Sequence, residues 1–174
     1  VHAIQGKKKI EFHYQKFGEE KETIRKVSPI AIREHNNRWY LIADDKGTVK
    51  NFGLERMNKV KILSDKIDDN IEFNYDDKYR FAFGIIVPTD EKPEKIVLSV
   101  TKKQAEYLQS LPLHESQEVI ETKNNEVLIG LEFFLTDDFI SEILAMSRTV
   151  TIIEPKKLKD KVKSILKETL GKYE

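Results

Sequence analysis

The sequence predicts a mixed α+β chain of two units: a small five-stranded β-barrel, then a βαββαβ unit with a trailing helix. Three observations carry this. The first 66 residues read as short strands joined by tight turns. The last 81 alternate strand and helix patterns. Between them, residues 67–93 change composition, becoming acidic and aromatic. Strands dominate the first unit, which is all-β apart from its entry helix.

The segment Val1–Gly6 reads as the end of a helix stopped by Gly6. In KKIEFHYQ, Ile10, Phe12 and Tyr14 alternate with polar residues, a half-buried strand. ETIRKVSPIAIRE follows with Ile24, Ile30 and Ile32. Pro29 lacks an N–H and marks an edge position or a bulge there. After the turn His35-Asn36-Asn37 comes RWYLIA. After Asp44-Asp45-Lys46-Gly47 come TVKNFGL and MNKVKIL. Such a meander hides its edges by curling into a barrel of Sm or SH3 type.

In residues 67–93 a short helix is expected around Asp76–Phe81. Phe73, Tyr75, Tyr79, Phe81 and Phe83 are expected to pin the linker against one unit or both. In residues 94–174, KIVLSV is a strand, and Thr101 with Gln104 matches a capping box opening a helix. HESQEVIET and EVLIGLEFFL are strands around Asn124-Asn125. Thr136 caps a helix to about Met146, TVTII is a strand, and Pro155 starts the last helix. Its Leu158, Val162, Ile165, Leu166 and Leu170 fall at helical spacing. The order is ferredoxin-like.

Composition excludes several functions. There is no Cys, hence no disulfide or thiolate chemistry. No apolar run is long enough to span a bilayer and no signal peptide opens the chain, so no membrane contact and a cytoplasmic location are expected. His2, His13, His35 and His114 lack ligand spacing, so no metal is expected. No GxSxG, Walker or GxGxxG pattern occurs, so no catalytic residue and no cofactor is assigned. Asp44-Asp45 and the other acidic doublets read as turn and cap residues. The second unit lacks the basic and glycine-aromatic pattern of RNA-recognition motifs, which sets that reading aside.

The net charge is zero but uneven. Residues 1–66 carry 15 Lys+Arg against 9 Asp+Glu. That excess fits an anionic partner or ordinary surface variation. Tyr14, Arg25, Arg38, Trp39, Tyr40 and Arg56 lie on or beside the barrel strands. Guanidinium forks and flat rings suit phosphates and bases. From the residues alone, a ring filling the barrel and arginines paired with carboxylates is the better account. Alternation puts Arg38 and Tyr40 on one face, Trp39 and Leu41 on the other.

RWYLIADD (38–45) resembles the signature of WYL domains. AIQGKKKIEFHYQ resembles their entry helix and first strand, IRKVSPIAI their Arg-x-x-x-Pro segment with Arg25 and Pro29, and FGLERMNKV their closing stretch with Arg56. Glu55 stands where the family usually has Asp. LPLHESQEVIE (111–121) and VTIIEPKKLKDKVKSIL (150–166) resemble the WCX extension, with MSRTV departing at Arg148 from a frequent glycine.

The resemblance implies a non-enzymatic bacterial transcription regulator: a WYL domain over 1–66, a linker over 67–93 and a WCX domain over 94–174. By motif match its ligand-binding residues are Tyr14, Arg25, Ser28, Arg38, Tyr40 and Arg56. The ligand is an anionic effector such as single-stranded nucleic acid or a nucleotide. DNA would be bound by a helix-turn-helix domain outside this chain, a fragment of a longer regulator. A homodimer is expected, and the alternative is a dimerisation module with no small ligand.

Overall fold

The computed structural model describes residues 1–67, 74–88 and 90–174. The expected Phe73 contact lies outside them. The fold is α+β with mostly antiparallel sheets, and it divides into two compact units, Val1–Tyr79 and Arg80–Glu174.

The first unit opens with helix α1 (His2–Gln5), followed by strands β1 (Lys8–Tyr14), β2 (Thr23–His35), β3 (Arg38–Asp45), β4 (Thr48–Gly53) and β5 (Met57–Lys66). They form one sheet in the order β4-β3-β2-β1-β5. The five predicted strands are present. The expected closed ladder is not: β4 and β5 are the two edges, and no backbone ladder joins them among the described residues. The sheet nevertheless curls. β4 and β1 stand three places apart, about 14 Å in a flat sheet, yet the Phe52 and Tyr14 ring centroids are 5.1 Å apart.

β1 keeps its predicted alternation, with Ile10, Phe12 and Tyr14 all buried. Phe12, Tyr14 and Phe52 meet edge to face at 5.1–6.0 Å, and Val27, Leu41 and Ala43 complete the core. Pro29 lies on an interior strand, where its missing N–H is accommodated by a register shift between Pro29 and Ala31. Ile24 is exposed, and Val27, Ser28 and Pro29 are buried instead. Neither Trp39 nor Tyr40 fills the core. Trp39 is 55% exposed, Tyr40 is half-buried, and the core-facing residues of β3 are Leu41 and Ala43.

Helix α2 (Tyr75–Tyr79) ends the first unit. Tyr79 is buried, stacks on Tyr75 at 4.6 Å and donates to Asn51 Oδ1 at 2.8 Å, while the Arg33 guanidinium lies 5.0 Å from its ring. Burial pushes the Tyr79 hydroxyl pKa up to about 12, so it remains a donor at any ordinary pH. The linker aromatics therefore divide. Phe81 and Phe83 pack within the second unit, on Phe134 and on Phe133 with Phe139.

The second unit runs β6 (Glu94–Thr101), α3 (Lys102–Ser110), β7 (Glu118–Thr122), β8 (Glu126–Phe133), α4 (Asp137–Ala145), β9 (Val150–Glu154) and α5 (Lys156–Leu170). Its sheet order is β7-β8-β6-β9. One sheet face, with Leu98, Val100, Ile129, Phe133 and Ile152, packs on Leu108, Phe139, Ile143, Leu158 and Val162 of the three helices.

Two expected caps differ. Thr101 accepts the Gln104 N–H at 3.3 Å, but the Gln104 side chain does not return to the helix start. Its amide reaches Met146 Sδ and accepts from Thr149 Oγ1, tying α3 to the turn after α4. Thr136 makes no side-chain cap. Its hydroxyl donates to Asp138, whose Oδ1 accepts the Phe139 N–H at 3.0 Å. In the segment 111–121, Gln117 bridges Leu113 N and Leu108 O, and Ser116 Oγ bonds both backbone groups of Glu132. His114 packs its ring on Phe133 at 5.0 Å, a structural role.

Phe139 is fully buried, with the Phe133 ring 4.7 Å away and Phe83 5.1 Å away. Phe139→Ala should lower stability by about 3–5 kcal/mol in a urea unfolding titration. Tyr107→Ala, on an exposed face of α3, should stay within about 0.5 kcal/mol.

Candidate functional site

In the first unit the end of β1, the start of β2, the last turn of β4 and the 3-10 turn Leu54–Arg56 converge on one cavity of about 430 Å³. Tyr14, Lys16, Arg25, Lys50, Asn51, Phe52 and Arg56 line it. Four of the seven are basic and none is acidic.

Each is placed by the fold. Tyr14 ends β1 with its ring in the core, and its hydroxyl accepts the Gly53 N–H at 3.3 Å. Arg25 pairs opposite Phe12 on β2, at the end of the core-facing row. Its Nη1 lies 3.2 Å from Asp45 Oδ2, and its Nε donates to Thr23 Oγ1. Lys50 reaches the same Asp45 oxygen at 2.8 Å. The Arg56 guanidinium carbon stands 5.2 Å from the Tyr14 ring and 4.7 Å from that of Phe17. Its Nε is 3.3 Å from Glu55 Oε1, yet this buried N–H meets no acceptor in hydrogen-bonding geometry. A buried donor left this way is costly.

Asp45 is the anchor beneath these cations. Burial by itself would raise its pKa. The Lys50 hydrogen bond and the Lys50 and Arg25 charges outweigh that and hold it below the ordinary carboxylate range. Asp45 was expected to be a solvated turn residue. Only Asp44 plays that part, accepting the Gly47 N–H at 3.2 Å.

Of the six residues expected from the sequence, Tyr14, Arg25 and Arg56 meet at this cavity. Ser28, Arg38 and Tyr40 lie outside its lining. Ser28 is buried on β2 opposite Asp44. Tyr40 pairs with Arg33 and Gly53. Arg38 is exposed, 4.0 Å from Glu55 and 5.9 Å from the Phe17 ring. The other four lining residues, Lys16, Lys50, Asn51 and the core residue Phe52, are not among the six expected. Nothing in the spacing of Lys16, Lys50 and Asn51 sets them apart from solvent-facing strand and loop residues.

Other cavities are chemically poorer. One of about 630 Å³ in the second unit is larger, but two carboxylates, Glu91 and Glu94, line it beside Lys92, Lys157 and Lys161. Another, of about 330 Å³ beside α1, is almost wholly aliphatic. Among the described residues no cluster of His, Asp and Glu could hold a metal ion, and no helix is long and apolar enough to cross a membrane.

Comparison with known proteins adds an independent line. Residues 1–62 match the model of the WYL domain, and residues 92–170 match that of the WCX domain. No curated protein matches the chain. Among solved structures it is similar to proteasome accessory factor B/C (PafBC) of Arthrobacter aurescens. Identity is 21% and the TM-score 0.40, over 92% of this chain and 24% of that one. It is also similar to a CRISPR Cas-related protein, at 10% identity and TM-score 0.55, over 99% of this chain and 49% of that one. The chain thus spans about a quarter and about a half of these two, and the second likeness concerns the fold.

Gly53 has ordinary extended backbone angles, but a Cβ there would lie 2.7 Å from Arg56 Nη2 and 2.7 Å from Glu55 Oε1. Both are ends of flexible side chains, so they can yield. Gly53→Ala should therefore shift the Arg56 Nε–H resonance while changing the melting temperature by no more than about 4 °C. Asp45→Asn should cost about 1–3 kcal/mol at neutral pH. Because the folded Asp45 pKa is depressed, its contribution is present above the unfolded value, about 4, and is lost as pH falls through the folded value. The variant should accordingly show a flatter acid limb in stability measured against pH.

Proposed function

Because the chain belongs to the WYL-domain family, with a WYL domain followed by a WCX domain, we propose that it is the effector-sensing part of a bacterial transcription regulator. In this reading the effector is an anion such as single-stranded nucleic acid or a nucleotide, bound in the cavity of the first unit. The carrying observation is the lining itself: Lys16, Arg25, Lys50 and Arg56 face one space with no acidic side chain among the lining residues. Tyr14, Arg25 and Arg56 are the central contacts, with Arg38 at the periphery and Ser28 and Tyr40 supporting β2 and β3.

The curled five-stranded meander supports an Sm-like reading of the first unit, and the β7-β8-β6-β9 order a ferredoxin-like reading of the second. We assign the WYL domain to 1–66, the linker to 67–93 and the WCX domain to 94–174. The protein acts in the cytoplasm and regulates rather than catalyses. In this reading DNA is contacted through a helix-turn-helix domain.

A second reading is a homodimerising module without a small ligand. It draws on α5, where Leu158 and Val162 are buried but Leu166 and Leu170 face solvent. A monomeric mass at high concentration would sink it.

The test of the first reading is fluorescence anisotropy of labelled single-stranded DNA and RNA at low and then physiological salt. Binding should weaken steeply with salt, and Arg56→Ala should lower affinity about tenfold or more. No binding at low salt, or full affinity in Arg56→Ala, would refute it.

A further inference from the structure

Phe17 is a large apolar ring that the core does not use. It is 69% exposed at the tip of the β1–β2 connection, and that tip is firmly built. Gly18 takes the left-handed conformation, φ +78°, which lets the chain reverse. The Glu19 N–H closes the turn on Lys16 O at 3.2 Å, Lys16 Nζ pairs with Glu19 at 3.1 Å, and the Gln15 amide donates to Glu19 O. The Gln15 N–H ties the base of the loop to Arg56 O at 3.3 Å. The ring is thus held beside the cavity, next to its lining residue Lys16 and 4.7 Å from the Arg56 guanidinium carbon. Arg38 stands 5.9 Å from the same ring.

The two guanidinium contacts cover only part of the ring, which stays 69% exposed. A flat ring beside cations that face an anion site is the pairing that single-stranded nucleic acids use, with phosphates on the cations and bases stacked on the ring. Resting on the reading of the cavity as an anion site, we propose that Phe17 is its stacking surface. The site then selects a phosphate-bearing ligand with an unpaired base over phosphate groups alone. A phosphate on Arg56 brings the neighbouring base to the open part of the Phe17 ring. Arg38, outside the lining, then acts at the rim through Phe17.

The experiment titrates the full chain, as wild type, Phe17→Ala and Phe17→Trp, with a short labelled oligothymidylate and an abasic strand of equal length at low salt. Wild type should prefer the base-bearing strand. Phe17→Ala should lose about tenfold for that strand and leave the abasic strand unchanged, and Phe17→Trp should retain the preference. If Phe17→Ala weakens both strands equally, the ring merely steadies Arg56 and the proposal is overturned. If wild type binds both strands alike, the anion site stands and the stacking role falls. If wild type binds neither, the anion reading itself fails and takes this inference with it.

Discussion

The Tyr14 ring packs against Phe12 and Phe52 while its hydroxyl accepts the Gly53 N–H, and this joins the ends of β1 and β4, strands that share no ladder. Besides that clasp, the three-residue turn Leu54–Arg56 and the Gln15 N–H to Arg56 O bond hold the two edge strands, β4 and β5, near each other at this end of the sheet. With the clasp, the 3-10 turn that follows Gly53 starts from a fixed point, and Arg56 is delivered over the face of the same tyrosine. Core packing and site geometry are therefore one event here. The residue that closes the curl also forms the wall of the cavity.

The charges follow from this arrangement. A buried carboxylate is tolerated where cations surround it, and Asp45 holds Arg25 and Lys50 from two different strands. The two cations are thereby oriented toward one space before any partner arrives. Arg56 is positioned differently, between the Tyr14 and Phe17 rings and beside the Glu55 carboxylate. Preorganised donors of this kind spend little ordering entropy on binding.

Local patterns made the strand and helix sequence legible. The alternation of Ile10, Phe12 and Tyr14 reads directly as a buried face, and the spacing of Leu158 and Val162 as a helix stripe. Motif resemblance pointed to six residues, of which Tyr14, Arg25 and Arg56 line the cavity and Ser28, Arg38 and Tyr40 do not. What was not legible depends on long-range geometry. Lys16 and Lys50 look like any surface lysine until the curl brings β1 and β4 together. Asp45 looks like a turn residue until two strands supply cations to it. Gln104 and Thr136 carry capping side chains by type, yet Gln104 turns to a tertiary partner, Thr149, and Thr136 to its neighbour Asp138. The tryptophan of the signature looks like core by its size, but β3 turns Leu41 and Ala43 inward instead.

The irregularity at Pro29 gives β2 an unusual property. Side chains along a strand alternate strictly, so Arg25 and Arg33, eight positions apart, would share a face on a regular strand. One additional residue resets the count. Arg25 then belongs to the cavity, and Arg33 to the opposite surface where Tyr75 and Tyr79 sit. The strand behaves like a cable with a half-twist, serving two sides of one wall. Its length is consequently fixed in a way its composition is not. Conservative exchanges along it are local matters, whereas losing a single position between 29 and 31 would turn every later side chain inside out and detach α2 from the unit it closes.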